Sequence, residues 1–183
     1  MLERFDWLRD RDVETVRIRC HGDFHLGQVL YRDGSNGKPD FVFLDFEGEP
    51  AIPLRMRRGK SCALRDVASM LRSLEYAAWM AHRRLWSAES GIAEATRDAT
   101  TAVWGRTMGA AFLDGHRRGL QQATTSPGVV SVPIIPSAAR EFELVLDAFC
   151  FEKAMYELTY ELNNRPDWFE IRLRGLAELL GES

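Results

Sequence analysis

The chain has 183 residues, of which 45% are hydrophobic and 28% are charged. This length and composition are typical of one globular domain that buries its own core, and they exclude a disordered chain. The formal net charge of -3 argues against a nucleic-acid-binding protein, which normally presents a basic face.

Three features bear on the cellular location. Cys20, Cys62 and Cys150 are scattered along the chain and lack the spacing of a metal site. They are predicted to be reduced thiols that pack as small hydrophobic side chains. The sequence contains no run of about eighteen apolar residues and no signal-peptide core. We therefore expect a cytoplasmic protein that does not cross a membrane.

The first predicted elements are a helix and a strand. Apolar side chains on one face predict a short helix over residues 1–12. Alternating apolar side chains then predict a strand over residues 15–20. His21, Gly22 and Asp23 follow directly, so this strand ends where an acidic loop begins.

A β-hairpin is predicted next. A strand pair is predicted at residues 28–31 and 41–44, which flank RDGSNGKPD, a segment rich in turn-forming residues. The hairpin ends at Asp45, so it can return Asp45 to the loop that holds Asp23 and Gln28. Two carboxylates and an amide oxygen at one sheet edge would suit a magnesium ion and phosphoryl transfer. The alternative is a hairpin with a solvated acidic turn.

The rest of the chain is predicted to be mainly helical. Residues 46–62 contain prolines, glycines and a basic cluster and are expected to be mostly irregular. Apolar stripes of helical period predict helices at residues 64–80, 89–120 (as one helix or a pair), 138–162 and 173–180. The Thr-, Ser-, Pro- and Gly-rich stretch before residue 138 predicts a connector inside one domain.

One face of the helix beginning at residue 138 is polar and aromatic. Lys153, Tyr156, Glu157 and Tyr160 recur at helical spacing and place a cation, an acid and two phenols together. Sugars are bound by such mixtures, because hydroxyls need paired donors and acceptors and a pyranose packs on aromatic rings. The alternative is an exposed face on which Lys153 and Glu157 form an intrahelical ion pair.

Four motifs in one order resemble a known group of kinases. HGDFHLGQ followed by LDFEGE is similar to the catalytic and metal loops of protein-kinase-like small-molecule kinases, which include aminoglycoside and choline kinases. HGDFHLGQVL, DFEGEP, LRDVASMLRS and YELTYELNNRPDW together resemble the maltokinases, found alone or fused to trehalose synthase. The resemblance extends from about Arg17 to Leu176.

The resemblance implies roles for the residues of both loops. Asp23 would be the base that orients and deprotonates the attacking sugar hydroxyl. Gln28 and Asp45 would bind Mg²⁺ and, through it, ATP, with Glu47 as a further metal ligand. His21 would support this site from behind.

The resemblance also assigns the surroundings of these loops. Asp66 would accept N–H groups of the loop that holds Asp23, as a structural support. The side chains from Lys153 to Tyr160 would line a maltose pocket. The implied reaction converts ATP and maltose to maltose 1-phosphate and ADP, in trehalose-to-glycogen metabolism.

A kinase of this kind grips ATP with an amino-terminal lobe that carries a phosphate-covering loop and a lysine. No such glycine-rich pattern occurs in the sequence, so we expect a carboxyl-terminal lobe whose partner lobe is absent, and a chain that is inactive alone. The predicted fold is mainly helical α+β in a single domain over residues 1–183. It comprises a catalytic loop at 21–28, a metal loop at 45–49 and a sugar-side helix at 138–163.

Two other functions remain open at this point. One is a kinase of another small alcohol, such as an aminoglycoside. The sites of such kinases gather carboxylates to bind a cationic substrate. The positive charge of Lys153 would repel that substrate. The other is a sugar-binding lobe without catalysis, which the absent ATP-gripping lobe would favour.

Overall fold

A computed structural model of the chain describes residues 6, 12–34, 37–85, 91–124, 133–164 and 169–180. These residues contain two small antiparallel sheets and five α-helices. The strands are β1 (Ile18–Arg19), β2 (Val29–Asp33), β3 (Pro39–Phe43) and β4 (Lys60–Ser61). The helices are α1 (Leu54–Arg57), α2 (Leu64–Leu85), α3 (Glu94–Thr124), α4 (Ala139–Asn164) and α5 (Phe169–Leu180). The predicted mainly helical α+β class is confirmed.

The predicted hairpin is present as β2 and β3. Val29 pairs with Phe43 and Asp33 with Pro39, so both strands reach further into the turn than predicted. A 3-10 turn, Leu26–Gln28, connects the acidic loop to β2. The hairpin therefore begins directly after Gln28 and ends two residues before Asp45.

The strand predicted over residues 15–20 is shorter than expected. β1 has two residues and pairs with β4, Ile18 opposite Ser61 and Arg19 opposite Lys60. The prediction of an irregular segment over residues 46–62 missed β4 and α1. Tertiary pairing with β1 makes β4 a strand, which local composition did not indicate.

The helices are longer than predicted or begin elsewhere. α2 continues five residues past the predicted end at Met80, and residues 94–124 form one helix rather than a pair. α5 begins at Phe169 rather than Leu173. Most of the predicted helix over residues 1–12, and residues 125–132 of the predicted connector, lie outside the described residues. No helix among the described residues is apolar and long enough to cross a bilayer.

The core lies between α2 and α4. It consists of the buried side chains Leu64, Val67, Ala68, Phe142, Leu146 and Cys150. All of these residues except Cys150 belong to the apolar stripes that predicted the two helices. α2 also packs against α3, and α5 packs against both α4 and α2. The cysteines are free thiols, with Cys20 and Cys150 buried and Cys62 half-buried, as predicted.

Candidate active site

The loop over residues 21–28 is fixed to the start of α2. Asp66, in the first turn of α2, accepts hydrogen bonds from the backbone N–H groups of His21 (2.6 Å) and Gly22 (2.9 Å). The buried His21 ring lies against the hairpin, where its Nε2 donates to the Leu44 carbonyl oxygen over 2.7 Å. His21 and Asp66 therefore hold this loop between a helix and the hairpin end.

Two glycines allow this loop to meet the loop over residues 45–49. Gly22 has a φ of 84° and Gly48 a φ of 79°, both in the left-handed region. A Cβ on Gly22 would lie 3.2 Å from Gly48 Cα, tighter than a side chain normally packs. The two loops are therefore in backbone contact, at positions that favour glycine.

Gln28 and Asp45 are in direct contact. Gln28 Nε2 donates to Asp45 Oδ2 over 3.1 Å, and the Leu44 N–H donates to the Gln28 carbonyl oxygen over 2.9 Å. The hairpin thus returns Asp45 beside Gln28. Glu47 is exposed, and its carbonyl oxygen accepts a hydrogen bond from Arg57 Nη1 over 3.3 Å.

Gln28 and Asp45 are the residues that could hold a magnesium ion. Among the described residues, no three His, Cys, Asp or Glu side chains converge as a metal-binding group. One carboxylate and one amide are few protein ligands, but Mg²⁺ usually keeps several waters and binds phosphate oxygens as well. The donor set of Gln28 and Asp45 fits Mg²⁺ held together with a nucleotide.

Asp23 points to different partners. Its Oδ1 lies 3.7 Å from Lys153 Nζ and its Oδ2 lies 3.8 Å from His25 Nε2. Lys153 Nζ also lies 3.7 Å from Glu49 Oε2 and 5.2 Å from the centre of the Tyr156 ring. Asp23 is therefore on the side of the loop that faces α4, whereas Gln28 contacts Asp45.

A cavity of about 300 Å³ lies between this loop and the helices α2, α4 and α5. It is lined by Asp23, His25, Glu49, Ser69, Ser73, Tyr76, Lys153, Tyr156, Glu157, Tyr160, Glu161 and Arg172. The predicted sugar-side residues of α4 all line it, together with Asp23. The structure thus brings the predicted catalytic acid and the predicted sugar face into one space.

Tyr156 is a hydrogen-bond donor in this cavity. Burial, together with the charge of Glu49 and a hydrogen bond to it, raises the pKa of the Tyr156 hydroxyl to about 12. The phenol therefore stays protonated at neutral pH. The protonated hydroxyl of Tyr156 lies near the carboxylates of Glu49 and Asp23, and such a donor suits the recognition of a polar ligand.

Glu157 does not pair with Lys153, so the alternative of an exposed intrahelical ion pair is wrong. Glu157 is 8% exposed, and its Oε2 lies 3.2 Å from Arg72 Nη2 and 3.0 Å from Arg172 Nη1. Lys153 instead pairs with acids of the two loops. Lys153 and Glu157, which the helix spacing placed side by side, therefore have different ion-pair partners.

Seven further lining residues were not predicted as site residues, namely His25, Glu49, Ser69, Ser73, Tyr76, Glu161 and Arg172. Glu161 follows Glu157 by one helical turn, so extending the polar stripe of α4 would have found it. Glu49 is within the predicted metal loop. Tyr76 and Arg172 come from α2 and α5, and no sequence signal connects them to this site.

Comparisons with known proteins find glucosamine kinases of similar sequence. No protein-family model matches the chain. A glucosamine kinase of Mycolicibacterium smegmatis is 28% identical over 162 residues, covering 88% of this chain and 34% of that protein. A glucosamine kinase of Streptacidiphilus jiangxiensis is 25% identical over 168 residues, covering 92% of this chain and 33% of that protein.

Solved structures of glucosamine kinases are also similar to this chain. A glucosamine kinase in complex with glucosamine, ADP and inorganic phosphate has a TM-score of 0.63 and 26% identity, covering 88% of this chain and 34% of that one. Another crystal form of a glucosamine kinase has a TM-score of 0.64, covering 91% of this chain and 35% of that one. The chain spans about one third of the length of the relatives it matches.

The sequence and the fold of this chain are therefore similar to part of a sugar kinase. The relatives named here are glucosamine kinases, so the similarity supports the broader class of the resemblance and not maltokinases in particular.

Proposed function

We propose that this chain is the metal-binding and acceptor-binding part of an ATP-dependent sugar kinase. The observation that carries the proposal is the shared cavity, in which Asp23 lies with Lys153, Tyr156 and Tyr160. The Gln28–Asp45 contact, on the same pair of loops, supports it. Phosphoryl transfer needs positioning and charge stabilisation, and these elements provide sites for both.

In this proposal Asp23 binds the acceptor hydroxyl and takes its proton as the hydroxyl oxygen attacks the γ-phosphorus and ADP leaves. Lys153, 3.7 Å away, holds the Asp23 carboxylate in position. Gln28 and Asp45 would hold Mg²⁺, with the exposed Glu47 as a further candidate. The ion would supply charge neutralisation on the phosphates.

We propose glucosamine, or a closely related amino sugar, as the acceptor. Lys153 argued against a cationic substrate when only the sequence was considered. Its charge faces Asp23 and Glu49, and the cavity also presents the carboxylates of Glu157 and Glu161. The lining has these four carboxylates against two cations, Lys153 and Arg172, and this excess of negative charge suits an ammonium group. The names of the relatives support this choice over maltose.

Asp23→Asn tests the proposed reaction. In a polypeptide that joins this chain to an ATP-binding lobe, we expect ATP-dependent phosphorylation of glucosamine to fall about 10²- to 10⁴-fold, because the amide cannot accept the proton. Binding of the sugar, measured by calorimetry, should remain because α4 alone contributes five of the twelve lining residues. Asp114→Asn, an exposed carboxylate on α3, is the matched control and should keep full activity.

The outcomes separate the competing functions. Phosphorylation of maltose but not glucosamine would restore the maltokinase assignment. Sugar binding without any phosphorylation by the wild-type protein would favour a non-catalytic lobe. Full activity in Asp23→Asn would contradict the proposed role of this residue.

A further inference from the structure

Arg172, a residue of α5, is one of the side chains that line the cavity. Its side chain is 12% exposed, and the guanidinium carbon lies 3.8 Å above the centre of the Tyr76 ring. Its Nη1 lies 3.0 Å from Glu157 Oε2, and its Nε lies 3.6 Å from Glu161 Oε1. Arg172 therefore faces both acids at this end of the cavity and is itself held by an aromatic ring.

A second arginine, Arg72, contacts one of these two acids, Glu157. The Arg72 side chain is 3% exposed and donates to Glu157 Oε2 from Nε (3.3 Å) and Nη2 (3.2 Å). Arg72 Nη1 also donates to Glu75 Oε2 over 2.6 Å. Glu157 is thus shared between Arg72 in the interior and Arg172 at the cavity. Of these two cations, only Arg172 lines the cavity.

The charges of the cavity fall into two groups. At the loop end, Lys153 faces Asp23 and Glu49. At the far end, Arg172 faces Glu157 and Glu161. Both groups contain two acids and one lining cation. The acids attract an ammonium ligand and the cations repel it. Both electrostatic interactions are strong where water is partly excluded.

We propose that Arg172 is a specificity-determining residue, whose positive charge sets how strongly the cavity prefers a cationic amino sugar over a neutral sugar. With Arg172 present, its positive charge offsets part of the negative charge of Glu157 and Glu161. Without it, their net negative charge faces the ligand. The inference rests on the proposed sugar site and adds to it a determinant of ligand charge.

The test compares two ligands that differ at one group. Glucosamine carries an ammonium group, below the pKa of its amine, where glucose carries a hydroxyl. We would measure both dissociation constants by calorimetry for the 183-residue chain and its variants. In Arg172→Gln, we expect the preference for glucosamine over glucose to rise about tenfold, a modest effect for one partly screened charge.

Two other variants of the network keep the test decisive if Arg172→Gln fails to fold. Arg172→Lys retains the charge and should keep the preference of the wild type. Glu161→Gln removes a negative charge and should lower the preference, opposite in sign to Arg172→Gln. Arg118→Gln is the control for net charge, because Arg118 is exposed and pairs with Asp114 on α3. It should leave both constants unchanged.

The results distinguish a failure of this inference from a failure of the proposed function. An unchanged preference in both Arg172→Gln and Glu161→Gln, or an equal shift in Arg118→Gln, would overturn this inference and leave the proposed function standing. If the wild-type chain binds neither sugar, the proposed sugar site is wrong and the inference falls with it.

Discussion

Asp45 has a φ of 57°, the only left-handed backbone of a non-glycine residue in the described part of the chain. Asp tolerates this conformation better than most residues, because its short side chain can bond locally. Non-glycine residues in sparsely populated conformations cluster at functional sites, where surrounding contacts hold them. Here those contacts include the hydrogen bond from Gln28, which agrees with the proposed metal-binding role of both residues.

The buried thiols predict how stability depends on pH. Burial raises the pKa of Cys20 from 9.0 to about 11 and that of Cys150 to about 12. Between pH 9 and these values the folded state keeps both protons while the unfolded state loses them. Unfolding is then favoured, so the free energy of unfolding should fall as the pH rises above about 9.

Urea unfolding at several pH values between about 8 and 11 measures this dependence. Cys150→Ala removes one of the two groups, so the variant should lose less stability over this range than the wild type does. The two proteins are compared by the slope of the free energy of unfolding against pH. The free energy itself is not compared, because the mutation also leaves a small cavity that lowers it. Equal slopes in the two proteins would contradict the prediction.

At the scale of elements, α4 carries two acids with opposite surroundings. Glu157 is buried between Arg72 and Arg172, whereas Glu152 pairs with Arg65 at the surface, with side chains 55% and 43% exposed. Glu157→Gln should lower the free energy of unfolding by about 3 kcal/mol, because it leaves buried positive charge uncompensated. Glu152→Gln is the matched control and should cost less than about 1 kcal/mol. Similar costs for the two variants in chemical unfolding would show that the buried network is not stabilising.

The packing of α5 against α2 depends on Gly175. A Cβ at this position would lie 2.8 Å from Arg72 Nη1 and would clash with Glu75 Oε1. Arg72 is buried and fixed by its ion pairs, so it cannot move aside freely. We expect Gly175→Ala to destabilise the protein by about 1 to 3 kcal/mol.

Gly119 in α3 is the control, since a Cβ there would meet no atom within 4 Å. Gly119→Ala should stabilise the chain by up to about 1 kcal/mol, the helix propensity difference between the two residues. Thermal unfolding of both variants measures the contrast. A melting temperature of Gly175→Ala at or above that of the wild type would show that α5 does not pack as described.

At the scale of the whole molecule, the chain spans one third of its relatives' length and its sequence has no glycine-rich phosphate-covering pattern. We therefore expect the 183 residues alone to bind the acceptor sugar but to turn over little or no ATP. A coupled assay of ADP release with glucosamine, with calorimetry of sugar binding in parallel, measures both properties. Rapid turnover by this chain alone would refute the expectation.

Much of the fold was predictable from local patterns. The apolar stripes of α2 and α4 identified the core because helical period alone fixes which side chains share a face. The turn-rich segment after Gln28 predicted the hairpin, and hence the return of Asp45. Errors occurred where long-range pairing prevailed over composition, as in β4, which is a strand only because β1 lies beside it.

The sequence by itself determined which residues stand together on one face or at the ends of one hairpin, because these relations follow from backbone geometry. Only the tertiary structure decided the ion-pair partners: Lys153 faces the loops, and Glu157 meets Arg72 across 85 residues of sequence. Such partners depend on which helices pack together and how closely, and the charge that a ligand meets in the cavity depends on them in turn.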